Sequence, residues 1–161
     1  MNGRDLTRLL RHAPGSRGVW QGVFPRNKVP RRVPRPSTYI FNTDPDRRAG
    51  EHWVAVHVDR HGLGEYFDSY GLPPYHMEFY TFLERNTKKW RYSGKQIQGL
   101  NASTCGDFCV YFLVLKMQGF KMKDILSHFG NDTRVNSSLV KNFVARLTKG
   151  IRRRHRLLRR A

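Results

Sequence analysis

From Phe108 to Leu115 the chain reads Phe108, Cys109, Val110, Tyr111, Phe112, Leu113, Val114 and Leu115, without a charge. A helix that is apolar almost all round belongs in the middle of a domain, with other elements packed about it. The helix is expected over Cys105 to Gln118, with Gly119 as its C-cap. It falls short of the roughly 20 apolar residues that span a bilayer, so no membrane partner is expected. A chain of 161 residues suits one compact domain around such a core. We place that domain at residues 1–148 and read residues 149–161, rich in arginine, as a basic C-terminal tail.

The remaining elements are read around that helix. Asn2 to His12 opens with a short amphipathic helix through Leu6, Leu9 and Leu10. Ala13 to Pro36 carries Gly15, Gly18, Gly22 and several prolines, and reads as an irregular segment pinned to the body by Val19-Trp20 and Val23-Phe24. Tyr39–Asn42 reads as a strand, and Trp53–Val58 as a second one, apolar on both faces as in a sheet interior. Asp59–Gly64 turns the chain into a further strand, Glu65–Asp68, and the pair reads as a hairpin. A helix over Tyr75–Arg85, a strand over Trp90–Gln98, and helices over Lys123–Phe129 and Val135–Leu147 complete the reading.

Cys105 heads the central helix. The first turn of a helix has unpaired N–H groups and a positive dipole end. A thiol there ionises more readily, and the same N–H groups can receive a developing oxyanion. Ser103-Thr104-Cys105-Gly106 has that character, with a glycine that permits close approach. Cys109, one turn deeper, is expected to point inward and to be inert. Four residues apart on a helix, the two cysteines fit neither a disulfide nor, without a second ligand pair, a zinc site, so no metal is expected. A catalytic thiolate needs a histidine, and the histidine an orienting group. Of the seven histidines, His52 begins the strand at Trp53, while the following strand ends in Asp68. A hairpin centred near Arg60 would set His52 and Asp68 opposite each other on one face, and a slip of one residue would separate them. Gln98, seven residues before Cys105, can offer a side-chain amide to a substrate oxyanion alongside the Cys105 N–H. Taken singly, each has a plain reading: a buried small thiol, a turn aspartate, a strand-end glutamine.

Together they resemble a family. Gly50-Glu51-His52-Trp53-Val54-Ala55-Val56, then Tyr66-Phe67-Asp68-Ser69-Tyr70-Gly71, then Ile97-Gln98-Gly99-Leu100-Asn101-Ala102-Ser103-Thr104-Cys105-Gly106, is similar to the adenovirus protease (adenain) type of cysteine protease, in a clan that includes the SUMO-specific proteases. The resemblance implies an α+β, papain-like core with a central mixed sheet. It implies Cys105 as nucleophile, His52 as base, Asp68 as the group that orients the imidazole, and Gln98 with the Cys105 N–H as oxyanion hole. Trp53 would cover the histidine. Adenain carries glutamate where Asp68 stands, and the SUMO-specific branch carries aspartate. Adenain is activated by a disulfide-held peptide and stimulated by DNA. No cysteine precedes Cys105, which argues against the first.

The formal net charge of +18 favours polyanions. It fits DNA as an activator and nucleic acid as a partner. The expected function is therefore an endopeptidase that cleaves capsid or core precursors, monomeric, working in the virion or host nucleus if viral. The chemistry itself needs no cofactor. The N-terminus lacks the apolar region of a secretory signal, so an intracellular setting is expected, with the sequons at Asn101, Asn131 and Asn136 unused. Two other readings stand beside it: an isopeptidase acting on a ubiquitin-like modifier, and a basic DNA-binding or core protein without catalysis.

Overall fold

The computed structural model describes residues 1–48 and 52–159. In chain order the elements are α1 Gly3–Arg11, β1 Trp20–Pro25, β2 Ser37–Asn42, β3 Trp53–Val58, β4 Leu63–Phe67, α2 Met77–Asn86, β5 Lys89–Tyr92, α3 Cys105–Met117, α4 Met122–Ser127 and α5 Thr133–Leu158. The strands form one mixed sheet in sequence order. The outer pairs β1–β2 and β4–β5 are parallel, and the inner pairs β2–β3 and β3–β4 antiparallel.

Alternation along the inner strands divides the core in two. Tyr39, Phe41, Val54, Val56, Val58 and Tyr66 face α2 and meet its Phe79, Phe82 and Leu83. Ile40, Ala55 and Phe67 face the other way, onto α3, with α1, α4 and α5 closing around it. Every residue of β2 is buried, as a strand covered on both faces requires. On α3, Phe108, Cys109, Val110, Phe112 and Leu113 have no exposed surface, and Phe112 stacks on Phe67 at 4.5 Å between ring centroids. The apolar segment is thus the central helix that its composition calls for.

Three elements differ from the sequence reading. Trp20–Pro25 is a strand, not part of an irregular segment. It lies at the sheet edge, where its ladder tolerates Pro25 and an irregularity in register between Trp20 and Gly22. The strand β5 stops at Tyr92, because Gly94 takes a left-handed turn (φ +64) and leaves the residues up to Gln98 as a loop. Helix α5 continues through Leu158, so most of the segment read as a tail is helical. It is capped by the Asp132 side chain, which accepts from the N–H groups of Arg134 and Val135.

One buried charge ties the layers together. Glu65 on β4 is 2% exposed, accepts from Arg91 Nη2 at 2.9 Å and pairs with Lys116 near the end of α3. Burial pushes the neighbouring His57 down to about 4, and the Lys116 charge acts in the same direction. Because Lys116 is only 10% exposed, its ammonium depends on the carboxylate. Glu65→Ala is therefore expected to destabilise the fold by about 3–5 kcal/mol. Urea unfolding checks this, and a loss below about 1 kcal/mol would mean that the pair behaves as an exposed one.

Candidate active site

The site forms at the end of the sheet where β3 begins, β4 finishes and α3 starts. The β3–β4 register pairs Ala55 with Phe67. Each step along the ladder moves one residue down β3 and one up β4. Continued past the last pair, it sets Val54 against Asp68, and His52 against Tyr70. The hairpin is therefore centred one residue later than expected, so His52 and Asp68 are diagonal, not directly opposite. A centre moved by one residue shifts the partner by two, which keeps the two side chains on one side of the strands. Diagonal neighbours remain within reach of long side chains, and His52 Nε2 and Asp68 Oδ1 are 3.0 Å apart.

Asp68 is 1% exposed. Its Oδ1 also accepts from the Tyr70 N–H at 2.8 Å, and its backbone is clamped by Ser93, whose hydroxyl donates to the Asp68 carbonyl at 2.9 Å. The carboxylate is thus fixed before it meets the imidazole. The ring stacked on His52 is that of Tyr70, at 4.7 Å between centroids and 28° between planes. The Trp53 indole, expected over the histidine, lies against Gly106 and Gly3, 3.5 and 3.6 Å from where their Cβ atoms would be. Its backbone supports the site: its carbonyl accepts from the Cys109 thiol at 3.4 Å, and its N–H acts to lower the Cys105 thiol.

Cys105 is the first residue of α3. The cap residue Thr104 makes no side-chain bond to the helix end; its hydroxyl lies 3.2 Å from the Ser137 hydroxyl on α5. With the cap drawn away, the first-turn N–H groups are left facing the site. Burial acts to raise the Cys105 thiol. The hydrogen bond to His52, the N–H groups of Trp53 and Gly106 and the imidazolium charge outweigh it and hold the thiol below its ordinary value. Burial likewise acts to lower His52, but Asp68 and Cys105 overcome it and raise the imidazole to about 9. Both directions favour a thiolate–imidazolium pair. Cys109 is fully buried, and burial pushes its thiol well above the usual range, as an inert core residue requires.

Gln98 has no exposed surface. The Ser69 hydroxyl donates to its Oε1 at 2.6 Å, while its Nε2 donates to the Ala102 carbonyl and, at 3.4 Å, to the Tyr70 hydroxyl. The segment carrying it is held by Asn136 of α5, 1% exposed, whose Nδ2 donates to the Ile97 carbonyl at 3.0 Å. The structure brings His52 and Asp68 together with Cys105 beside them, and links Gln98 to them through the hydroxyl of Tyr70. It adds Tyr70, Ser69, Ser93, Asn136 and Ser137, which the sequence reading did not single out. Tyr70 follows Asp68 by two residues and becomes visible only once the register is known. The two hydroxyls that turn Gln98 and Thr104 carry no local signal. Among the described residues no group of three or more His, Cys, Asp or Glu side chains is placed to hold a metal ion.

No family model matches the sequence, and no curated protein matches it. Solved structures do. The ASFV pS273R protease aligns at 23% identity and a TM-score of 0.50, over 67% of this chain and 44% of that one. The Chlamydia trachomatis effector protein ChlaDUB1 aligns at 20% identity and 0.54, over 73% and 56%. The central domain of Lpg1148 from Legionella pneumophila aligns at 19% and 0.51, over 92% and 98%. The likeness shows the fold alone, the α+β, papain-like arrangement of a mixed sheet packed by helices. The chain spans about half the length of the ASFV and Chlamydia proteins.

The two shifts have a definite sign. A lowered thiol value means that the anion persists to lower pH, and a raised imidazole value means that the cation persists to higher pH. The pair therefore occupies the window from below the ordinary thiol range up to about pH 9. Iodoacetamide labelling of Cys105, followed by mass spectrometry, is expected to set in at lower pH than that of an ordinary thiol. In His52→Ala the labelling should rise only at higher pH than in the wild type, because burial then acts on the thiol without the imidazolium to offset it. A wild-type profile that matches that of His52→Ala would contradict the ion pair.

Proposed function

We propose that this chain is a cysteine protease with Cys105 as nucleophile, His52 as base and then acid, and Asp68 as the group that holds the imidazole. The observation that carries this is the single line of contact from buried Asp68, through His52 Nε2 at 3.0 Å, to a thiol at a helix N-terminus held below its ordinary range. A solved fold shared with a protease supports it.

In this reading the Cys105 sulfur attacks the scissile carbonyl, forming the S–C bond while the carbonyl electron pair moves to oxygen. The Cys105 N–H, in the first turn of α3, stabilises that oxyanion, and Gln98, its amide committed to Ala102 and Tyr70, supports the site behind it. Collapse expels the amine, which takes the His52 proton and leaves a thioester. Water then attacks it, giving its proton to His52 and releasing the acid. Asp68 holds one ring orientation throughout. No cofactor enters these steps.

The substrate class we propose is protein, a capsid or core precursor in the adenain likeness. An isopeptidase acting on a ubiquitin-like modifier is the second reading, favoured by Asp68 in place of glutamate. Nucleic-acid binding is proposed as an accessory property. Arg152, Arg153, Arg154 and Arg156 are exposed on the last turns of α5. A cavity of about 1000 Å³ beside α1 is lined by Arg4, Arg8, Arg11 and His12. Such binding should weaken steeply with salt.

Incubation with capsid precursors, modifier conjugates and a pool of proteome-derived peptides, each with and without DNA, is expected to yield new termini by mass spectrometry. Cys105→Ser should abolish them while keeping its affinity for DNA. Cleavage that survives Cys105→Ser would overturn the assignment. Gln98→Ala is expected to lower kcat by about 10²–10³-fold. An unchanged kcat would remove Gln98 from the support of the oxyanion hole.

A further inference from the structure

The hydrogen bonds around Gln98 have a direction. The Ser69 hydroxyl donates to Gln98 Oε1 at 2.6 Å, and Gln98 Nε2 donates to the Ala102 carbonyl. A donor on one side and an acceptor on the other fix which way the amide faces. With the amide so fixed, Nε2 also donates to the Tyr70 hydroxyl at 3.4 Å. Tyr70 Oη is therefore an acceptor in this chain, and its own proton has no acceptor among the described residues. Gln98, by contrast, has no exposed surface, and both its N–H groups point at protein atoms. Tyr70 is half-buried, its ring stacked on His52 at 4.7 Å and its backbone N–H bonded to Asp68 at 2.8 Å.

We propose that the Tyr70 hydroxyl is an oxyanion-hole donor, and that Gln98 acts largely by holding that hydroxyl with its proton directed at the cleft. This rests on the protease reading and deepens it. As the Cys105 sulfur bonds to the carbonyl carbon and the electron pair moves to oxygen, the new oxyanion accepts hydrogen bonds from Tyr70 Oη–H and the Cys105 N–H. Tyr70 transfers no proton: its O–H stays intact, and on collapse the electron pair returns to the carbonyl as the amine leaves with the His52 proton. A phenol polarised by a donor to its oxygen is a stronger donor in turn, since hydrogen bonds in a chain reinforce one another. Burial raises the phenol above its ordinary value, with the charges of Cys105 and Asp68 adding to this, so the proton stays in place at every pH where the thiolate–imidazolium pair exists.

Tyr70→Phe tests this. It keeps a ring to stack on His52 and removes only the hydroxyl. The expected result is a fall in kcat of about 10²-fold with KM changed little. The rate and pH profile of Cys105 alkylation should match those of the wild type, because the ion pair is intact. Tyr70→Leu, which removes the ring as well, should also disturb the alkylation profile. A Tyr70→Phe enzyme with wild-type kcat would overturn the proposal. So would a loss of alkylation equal to the loss in kcat, which would make Tyr70 a positioning residue for His52 only. A wild-type chain that alkylates at Cys105 but cleaves no peptide or protein would overturn the protease reading and this inference with it.

Discussion

The start of α3 must be buried, and its N–H groups must nevertheless stay open. Everything else in the site answers to that conflict. A helix beginning inside a protein leaves several backbone donors without partners, and a cap side chain ordinarily supplies one. Thr104 stands in the cap position, but its hydroxyl is turned to Ser137 on α5. The donors are left for the Cys105 sulfur, with Trp53 adding its own N–H from β3. Helix α3 is held there by its apolar surface, packed between the sheet and the surrounding helices. The same burial that stabilises the fold would suppress a lone thiolate. The imidazolium of His52 offsets that penalty, and Asp68 in turn offsets the burial of the imidazolium. Removing any member leaves a charge uncompensated, so the three act as one unit.

The surrounding structure supplies stiffness. Asp68 is fixed by a backbone N–H and by Ser93, Gln98 by Ser69 and Ala102, and the Gln98 segment by Asn136. These partners come from the loops after β4 and β5 and from α5. Helix α5 therefore reaches the site twice, through Ser137 at the α3 cap and through Asn136 at Ile97. Arg152, Arg153, Arg154 and Arg156 are exposed at its far end. One helix thus joins the most basic part of the chain to two points of the loop between β5 and α3.

Much of this was legible in the sequence because it depends on local pattern. The all-round apolar run marks α3, a thiol at its head marks the nucleophile position, and valine-rich Trp53–Val58 marks an inner strand. What was not legible depends on register and on distant partners. Whether His52 meets Asp68 directly or diagonally turns on the centre of one hairpin, which the composition of Asp59–Gly64 leaves open. Tyr70 over His52 depends on that register and on the turn that the Gly71 N–H closes onto the Asp68 carbonyl. The strand at Trp20–Pro25 hides behind glycine and proline because an edge strand can accept both. The length of α5 hides behind arginines that read as a solvated tail, although Ile151 still packs against the core.

The central claim is that one of two thiols, and only that one, is made reactive by His52. Reaction of the protein with a peptide vinyl sulfone ending in a small residue, followed by peptide mapping, measures this directly. The account predicts a single adduct on Cys105, none on Cys109, and its loss in His52→Ala. Adducts shared between the two cysteines, or an adduct on Cys105 that forms equally fast without His52, would contradict it.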